Sequence, residues 1–189
     1  GDNSNSAIIV TVTPDDYPDS GVLSGVEFQR NLERKAYEIG SGKVPYQRYG
    51  EYVSCLKSMK GLGVTGVALS DAVSDISFAG NFVPAAKGMN SPADISALLP
   101  TDLSISLIEG MARFGHMIKG FNSKDAYLSG IESRTSSPVK IPRGDDGMSV
   151  NTTGLYPCGE GAGYAGGITS AAMDGMYIAQ QVLSCYPIS

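Results

Sequence analysis

Gly154-Leu155-Tyr156-Pro157-Cys158-Gly159-Glu160-Gly161-Ala162-Gly163-Tyr164-Ala165-Gly166-Gly167-Ile168, followed by a helix-like run, decides how the rest of this sequence is read. The pattern predicts a last short strand from Asn151 to Cys158, a glycine-rich turn, and one helix from beyond Tyr164 to about Ser184. A strand that passes through glycines into a helix aims free backbone N–H groups and the positive helix end at an anion. With no Cβ in the way, a phosphate or an electron-rich ring can come close. Gly161-x-Gly163-x-x-Gly166 also spells the dinucleotide fingerprint, but Gln180 and Gln181 stand where a ribose-binding acid is needed, so it is not read as a Rossmann turn. Within the run, Gly163, Gly167, Ala171, Gly175 and Ala179 recur every four residues as one small stripe. Such a stripe serves a cofactor or close packing on a sheet, and each interior glycine, at up to ~1 kcal/mol relative to alanine, needs a compensating contact.

Outward from this segment, Leu128 to Arg134 and Val139 to Ile141 read as strands parted by Thr135-Ser136-Ser137-Pro138, where proline forces an extended predecessor. Glu132 and Arg134 then share a strand face, either towards a ligand or as a structural ion pair. Thr101 opens a helix to about Lys119 with Leu103, Leu107, Met111, Phe114 and Ile118 on one stripe. Ser91 to Asp94 caps a short helix ending at Pro100. Residues 61–88 read as irregular structure with short strands. Val44 to Lys57 is a strand or turn entering a helix with Tyr52, Val53 and Leu56 inward. Ser24 and Glu27 form a capping box for a helix that buries Phe28, Leu32, Ala36 and Ile39, pairs Arg34 with Glu38, and ends in a left-handed Gly40. Ala7 to Thr13 is a β-branched strand signal. Strands and helices mix without steady alternation, which makes the chain α+β or a fragment of an α/β protein.

The 189 residues suffice for one domain or two small lobes, and 42% hydrophobic against 17% charged residues means a packed core rather than disorder. A net charge of -5 without a dense Lys/Arg cluster argues against nucleic acid. No apolar run approaches the ~20 residues needed to span a bilayer. Cys55, Cys158 and Cys185 form no CxxC pair, so reduced thiols and a cytoplasmic protein without metal are expected. The polar start at Gly1, with no Met, suggests a cut chain or a tag scar, with residues 1–6 disordered or tag-derived.

Gly154 to Gly175 resembles the C-terminal flavin-contacting motif of the uncharacterised FAD-dependent dehydrogenases, relatives of the wider glutathione-reductase-like flavoproteins. Gly25 to Ala36 and Gly130 to Ile141 are similar to the same family. The resemblance implies a substrate or cap lobe over residues 7–142 and a C-terminal flavin-contacting segment over 143–189. It places Gly159, Glu160, Gly161, Gly166, Gly167 and Ile168 at FAD: Glu160 on ribityl or ribose hydroxyls with Gly159 giving it room, and the amides of the last three at the pyrimidine edge. It sets Glu132, Arg134, Ser136 and Ser137 on the substrate side. The strand-turn-helix that holds the FAD adenosine and pyrophosphate belongs to the family's N-terminal half and has no counterpart here. This chain alone is therefore expected to be an inactive half-site that lacks its FAD-binding partner half, takes electrons from NAD(P)H only in the parent, and self-associates through the face left bare.

Several residues have a second reading. Glu160 also fits a helix-terminus acid. Cys158 fits a thiolate at the helix end or, as a buried small hydrophobe, a packing role; His116, in the last turn of its helix, fits a structural role. The chain as a whole also fits a non-catalytic ligand- or partner-binding module. A hydrolase lacks support, since there is no Gly-x-Ser-x-Gly elbow and no partner for the sole histidine.

Overall fold

The structure, a computed structural model, describes residues 4–60, 69–74, 84–85 and 87–186. In chain order these form α1 (Ser24–Ile39), β1 (Val44–Arg48), α2 (Tyr49–Lys60), α3 (Leu69–Ala72), β2 (Asn90–Pro92), α4 (Thr101–Met117), β3 (Tyr127–Ser129) and α5 (Ile168–Cys185), with a 3-10 turn at Pro14–Asp16. The fold is α+β, as its pattern predicts. Contacts divide it into two compact units, one of Gly1–Asp16 with Asn31–Ile131, the other of Tyr17–Arg30 with Glu132–Ser189.

In the first unit β1 is the central strand, parallel to β2 (Val44 opposite Asn90) and antiparallel to β3 (Tyr46 opposite Ser129). The α2 helix follows β1 directly and buries Tyr49, Tyr52, Val53 and Leu56 against Ala36, Ile95, Leu98, Ile108 and Met111. Tyr49 is fully buried, and its hydroxyl donates to Ala72 O at 3.0 Å, so its one polar atom is satisfied. On α4, Leu103, Ile108 and Met111 are inward, while Phe114 and Ile118 are exposed. The buried stripe is thus narrower than the sequence pattern and takes in Ile108, one position beyond the expected Leu107.

Several expected local features give way to tertiary ones. Residues 7–13 join no strand: Ile8 packs on the core, Ile9 is exposed, and β-branched residues make a strand only where an edge accepts them. Ser24 does begin α1, yet its hydroxyl meets the Asp19 carboxylate and Gly21 O, while Glu27 pairs with Arg30 at 2.9 Å, so no capping box forms. Phe28, Leu32 and Ala36 are buried and Ile39 is not; Arg34 donates to Asn31 rather than pairing with Glu38. The left-handed positions after α1 are Ser41 and Gly42. Gly40 is required for closeness instead, since a Cβ there would lie 2.1 Å from Lys43 O. Asn90–Pro92 pairs with β1 instead of capping a helix, and the Asp94 carboxylate closes the turn behind it by accepting from Ser96 N at 2.9 Å. Of residues 61–88, only 69–74, 84–85 and 87–88 lie inside the described residues.

The second unit holds α5 and a long run of turns. Neither 131–134, 139–141 nor 151–158 forms a strand. An isolated antiparallel bridge between Arg143 and Ser149 closes a tight turn, with Gly144 N donating to Met148 O at 2.9 Å. A Cβ at Gly147 would stand 2.7 Å from Ile178 Cδ1, so this turn packs directly on α5.

Candidate functional site

The glycine segment is a chain of turns with fixed backbone geometry. Gly159 and Gly163 have φ of 71° and 82°, where side chains are strained. Gly163 N donates to Glu160 O at 2.9 Å and Tyr164 N to Gly159 O at 3.0 Å. Residues 139–141 lie along this turn instead of in a sheet: Ile141 N donates to Ala162 O at 3.1 Å, and a Cβ at Gly163 would come within 2.6 Å of Val139 O. The Ser137 hydroxyl bridges to Val139 O (2.8 Å) and Gly161 O (3.2 Å), which ties the Ser-Ser-Pro segment to the glycines.

One ion pair fastens this turn to α5. Asp174, the only charged residue in the helix, takes two bonds from the Arg143 guanidinium (2.5 and 3.0 Å) and one from Gly159 N (2.8 Å). Arg143 also donates to Pro157 O at 2.8 Å and lies 3.6 Å from the Tyr164 ring centroid, with Lys140 over the same ring at 4.6 Å. Tyr164 donates to Ile141 O and Tyr177 to Asp145 O, so both rings are anchored at their tips. The pair is mostly buried, and the Arg143 hydrogen bonds hold the Asp174 carboxyl below the ordinary carboxylate range, with the Gly159 amide adding to the effect. A bidentate, partly desolvated Arg–carboxylate pair is the strong kind.

The other side of the segment is bare. A Cβ at Gly159, Gly161 or Gly175 would meet nothing within 4 Å, and at Gly166 and Gly167 only a serine hydroxyl at 3.8 Å. Packing among the described residues therefore does not explain why Gly161, Gly166, Gly167 and Gly175, all outside the left-handed region, lack side chains. The helix starts at Ile168, which is 94% exposed, with Gly167 at its N-cap and no side-chain cap. Its first-turn amides, next in the chain to Gly166 and Gly167, have no partners inside the helix. The Glu160 carboxylate is exposed and bonds none of the described residues, so it does not act as the helix-terminus acid. Only Ala171, Gly175 and Ala179 of the small stripe are helical; Gly163 and Gly167 precede the helix. A cradle that Cβ atoms would fill, uncapped amides and a free carboxylate together suit a ligand with a hydrogen-bond-accepting or anionic ring edge and hydroxyls, which a flavin has.

The two sets of residues singled out from sequence partly converge. Ser136 lies against Gly166 and Ser137 against Gly161. Gln29 of α1 holds that segment through Ser133 O at 2.9 Å, and Gly25 lets Pro138 in close, its absent Cβ position being 2.6 Å from Pro138 Cβ. Glu132 and Arg134 are exposed in irregular backbone, so the shared strand face is not formed. Cys158 is exposed rather than buried, the inward position being taken by Pro157. His116 is exposed in the last turn of α4. Sequence reasoning missed Arg143, Asp174 and Tyr164 as a unit; the available signal was a lone carboxylate in an otherwise uncharged 18-residue helix. Among the described residues no cluster of three or more His, Cys, Asp or Glu could hold a metal, and no helix is long and apolar enough to cross a membrane.

Known proteins with similar sequences bear on this surface. An uncharacterized protein of Clostridium beijerinckii is 38% identical over 189 residues, which cover 99% of this chain and 32% of the relative. The chain thus spans about a third of that relative's length. The family described as "FAD-dependent protein, C-terminal domain-like" matches residues 1–135, so it covers most of the sequence up to the Ser-Ser-Pro segment, and the likeness to the clostridial protein continues through the glycine turn and α5. The chain belongs to this family of FAD-dependent protein C-terminal domains.

Proposed function

We propose that this chain is the C-terminal part of a flavin-dependent oxidoreductase of dehydrogenase type, related to the glutathione-reductase-like flavoproteins. In this reading residues 7–142 are the substrate or cap lobe and residues 143–189 close the flavin site. The observation that carries it is the bare glycine surface at the uncapped start of α5, in a chain whose family is FAD-dependent. The amides around Gly166, Gly167 and Ile168 would face the flavin pyrimidine edge, Glu160 would accept from ribityl or ribose hydroxyls with Gly159 and Gly161 giving it room, and Ser136 and Ser137 with Glu132 and Arg134 would border the substrate. When bound, FAD supplies two-electron chemistry, with NAD(P)H as the donor. The protein's own residues orient it, keep water away and place N–H donors where negative charge develops. The rest of the FAD site, the adenosine and pyrophosphate cradle, comes from the remainder of the longer protein, and without it this chain is inactive.

The test is Gly161→Val in the longer natural protein. A Cβ there meets none of the described residues within 4 Å, so folding and the melting temperature should hold while FAD retention after gel filtration falls at least about tenfold. Unchanged FAD retention by the valine variant contradicts the assignment.

A further inference from the structure

We propose that Arg143 and Asp174 are positioning residues for the flavin-facing turn, acting through the backbone rather than by touching the ligand. This deepens the flavin reading above and rests on it. Asp174 is the sole link that joins the α5 axis to the turn's main chain, through Gly159 N at 2.8 Å, among the hydrogen bonds the described residues make there. Arg143 completes the frame from the opposite side of residue 158. Its Nη1 reaches both Pro157 O at 2.8 Å and Asp174 Oδ2 at 3.0 Å, and its Nη2 reaches Asp174 Oδ1 at 2.5 Å. The main chain immediately before Cys158 and immediately after it is therefore held by one bidentate pair. That pair in turn is pressed on the Tyr164 ring, whose own backbone N–H closes the turn on Gly159 O at 3.0 Å.

The arrangement holds the left-handed Gly159 and the main chain on either side of residue 158 against α5. Gly159 N is engaged by Asp174 and both Asp174 oxygens by Arg143, so these groups are turned on one another and act on the ligand site through the main chain they hold. Outer partners that orient a set of ligand-binding groups are worth about tenfold to a hundredfold in affinity where this has been measured at metal sites. A similar effect is expected here, since a ~1 Å drift of the turn would misplace the Glu160 oxygens and the α5 amides together.

Three variants separate positioning from general stability: Asp174→Asn, Arg143→Lys and Ile178→Ala. Ile178 is buried on the same helix face, against Gly147, and its truncation loosens α5 without touching the clamp. Amide hydrogen exchange on this chain should show faster exchange over residues 157–164, by about tenfold, in Asp174→Asn and Arg143→Lys and not in Ile178→Ala. In the longer natural protein, Asp174→Asn should weaken FAD binding by about tenfold or more and change the shape of the bound flavin's visible bands, whereas Ile178→Ala, at a comparable loss of melting temperature, should leave affinity within about twofold. Equal losses in the two variants, or an unchanged flavin spectrum and affinity in Asp174→Asn, overturn the clamp while leaving the flavin site standing. A longer wild-type protein that binds no FAD overturns the flavin reading and the clamp with it.

Discussion

At Gly163 the absent side chain is a requirement of the fold, because φ is 82° and a Cβ would stand 2.6 Å from Val139 O. Gly163→Ala should cost about 2–4 kcal/mol and lower the unfolding midpoint in urea. Gly175 is the opposite case, a mid-helix glycine with open space around its Cβ position. In this chain Gly175→Ala should stabilise by about 0.5–1 kcal/mol. The Asp174 carboxyl sets a pH dependence as well. Its folded pKa lies below the unfolded value of about 3.9, so its stabilisation is complete above that value and is lost as pH falls through the folded one. Thermal melts stepped down from pH 5 should show a steeper fall below about pH 4 for the wild type than for Asp174→Asn; parallel curves would contradict the ion pair's role. Residue types at the glycine turn were legible from sequence, whereas their roles were divided by geometry: Gly159 and Gly163 serve the backbone, Gly161 and Gly166 the open face. Composition and spacing alone do not separate those two uses of the same residue.

At the level of elements, α5 shows an unusual balance. Ile178 is its one buried residue, while Ile168, Met173, Met176 and Leu183 are exposed. By contrast α4 buries Leu103, Ile108 and Met111, which makes it an ordinary core helix. Ile108→Ala should cost about 2–5 kcal/mol, and Met176→Ala well under 1 kcal/mol, by urea unfolding of this chain. Long periodic runs were the readable part of the sequence: α1 and α4 lie where the apolar spacing puts them, because one buried face dictates 3.6-residue periodicity, whereas α5 was read from the glycine turn before it and its small residues. The short strands were not readable. Residues 7–13 have strand composition and no strand, while Asn90–Pro92 has a serine and a proline and pairs with β1, since a three-residue strand is decided by the edge it meets rather than by its own residues.

For the whole molecule, the exposed apolar face of α5 and the bare glycines fit a chain that spans about a third of its clostridial relative. Several large apolar side chains left exposed on one helix favour association with a partner. In isolation the chain should self-associate, and light scattering across dilutions should give dimers or larger; a monomer at every concentration would contradict this. The central claim is that the flavin site is shared between this chain and the rest of a longer protein. The most direct measurement is the visible absorbance spectrum after adding FAD and gel-filtering, taken on this chain and on the longer natural protein side by side. The account predicts that the longer protein alone emerges yellow with FAD retained; a longer protein that emerges colourless, or a chain that holds FAD tightly by itself, would contradict it.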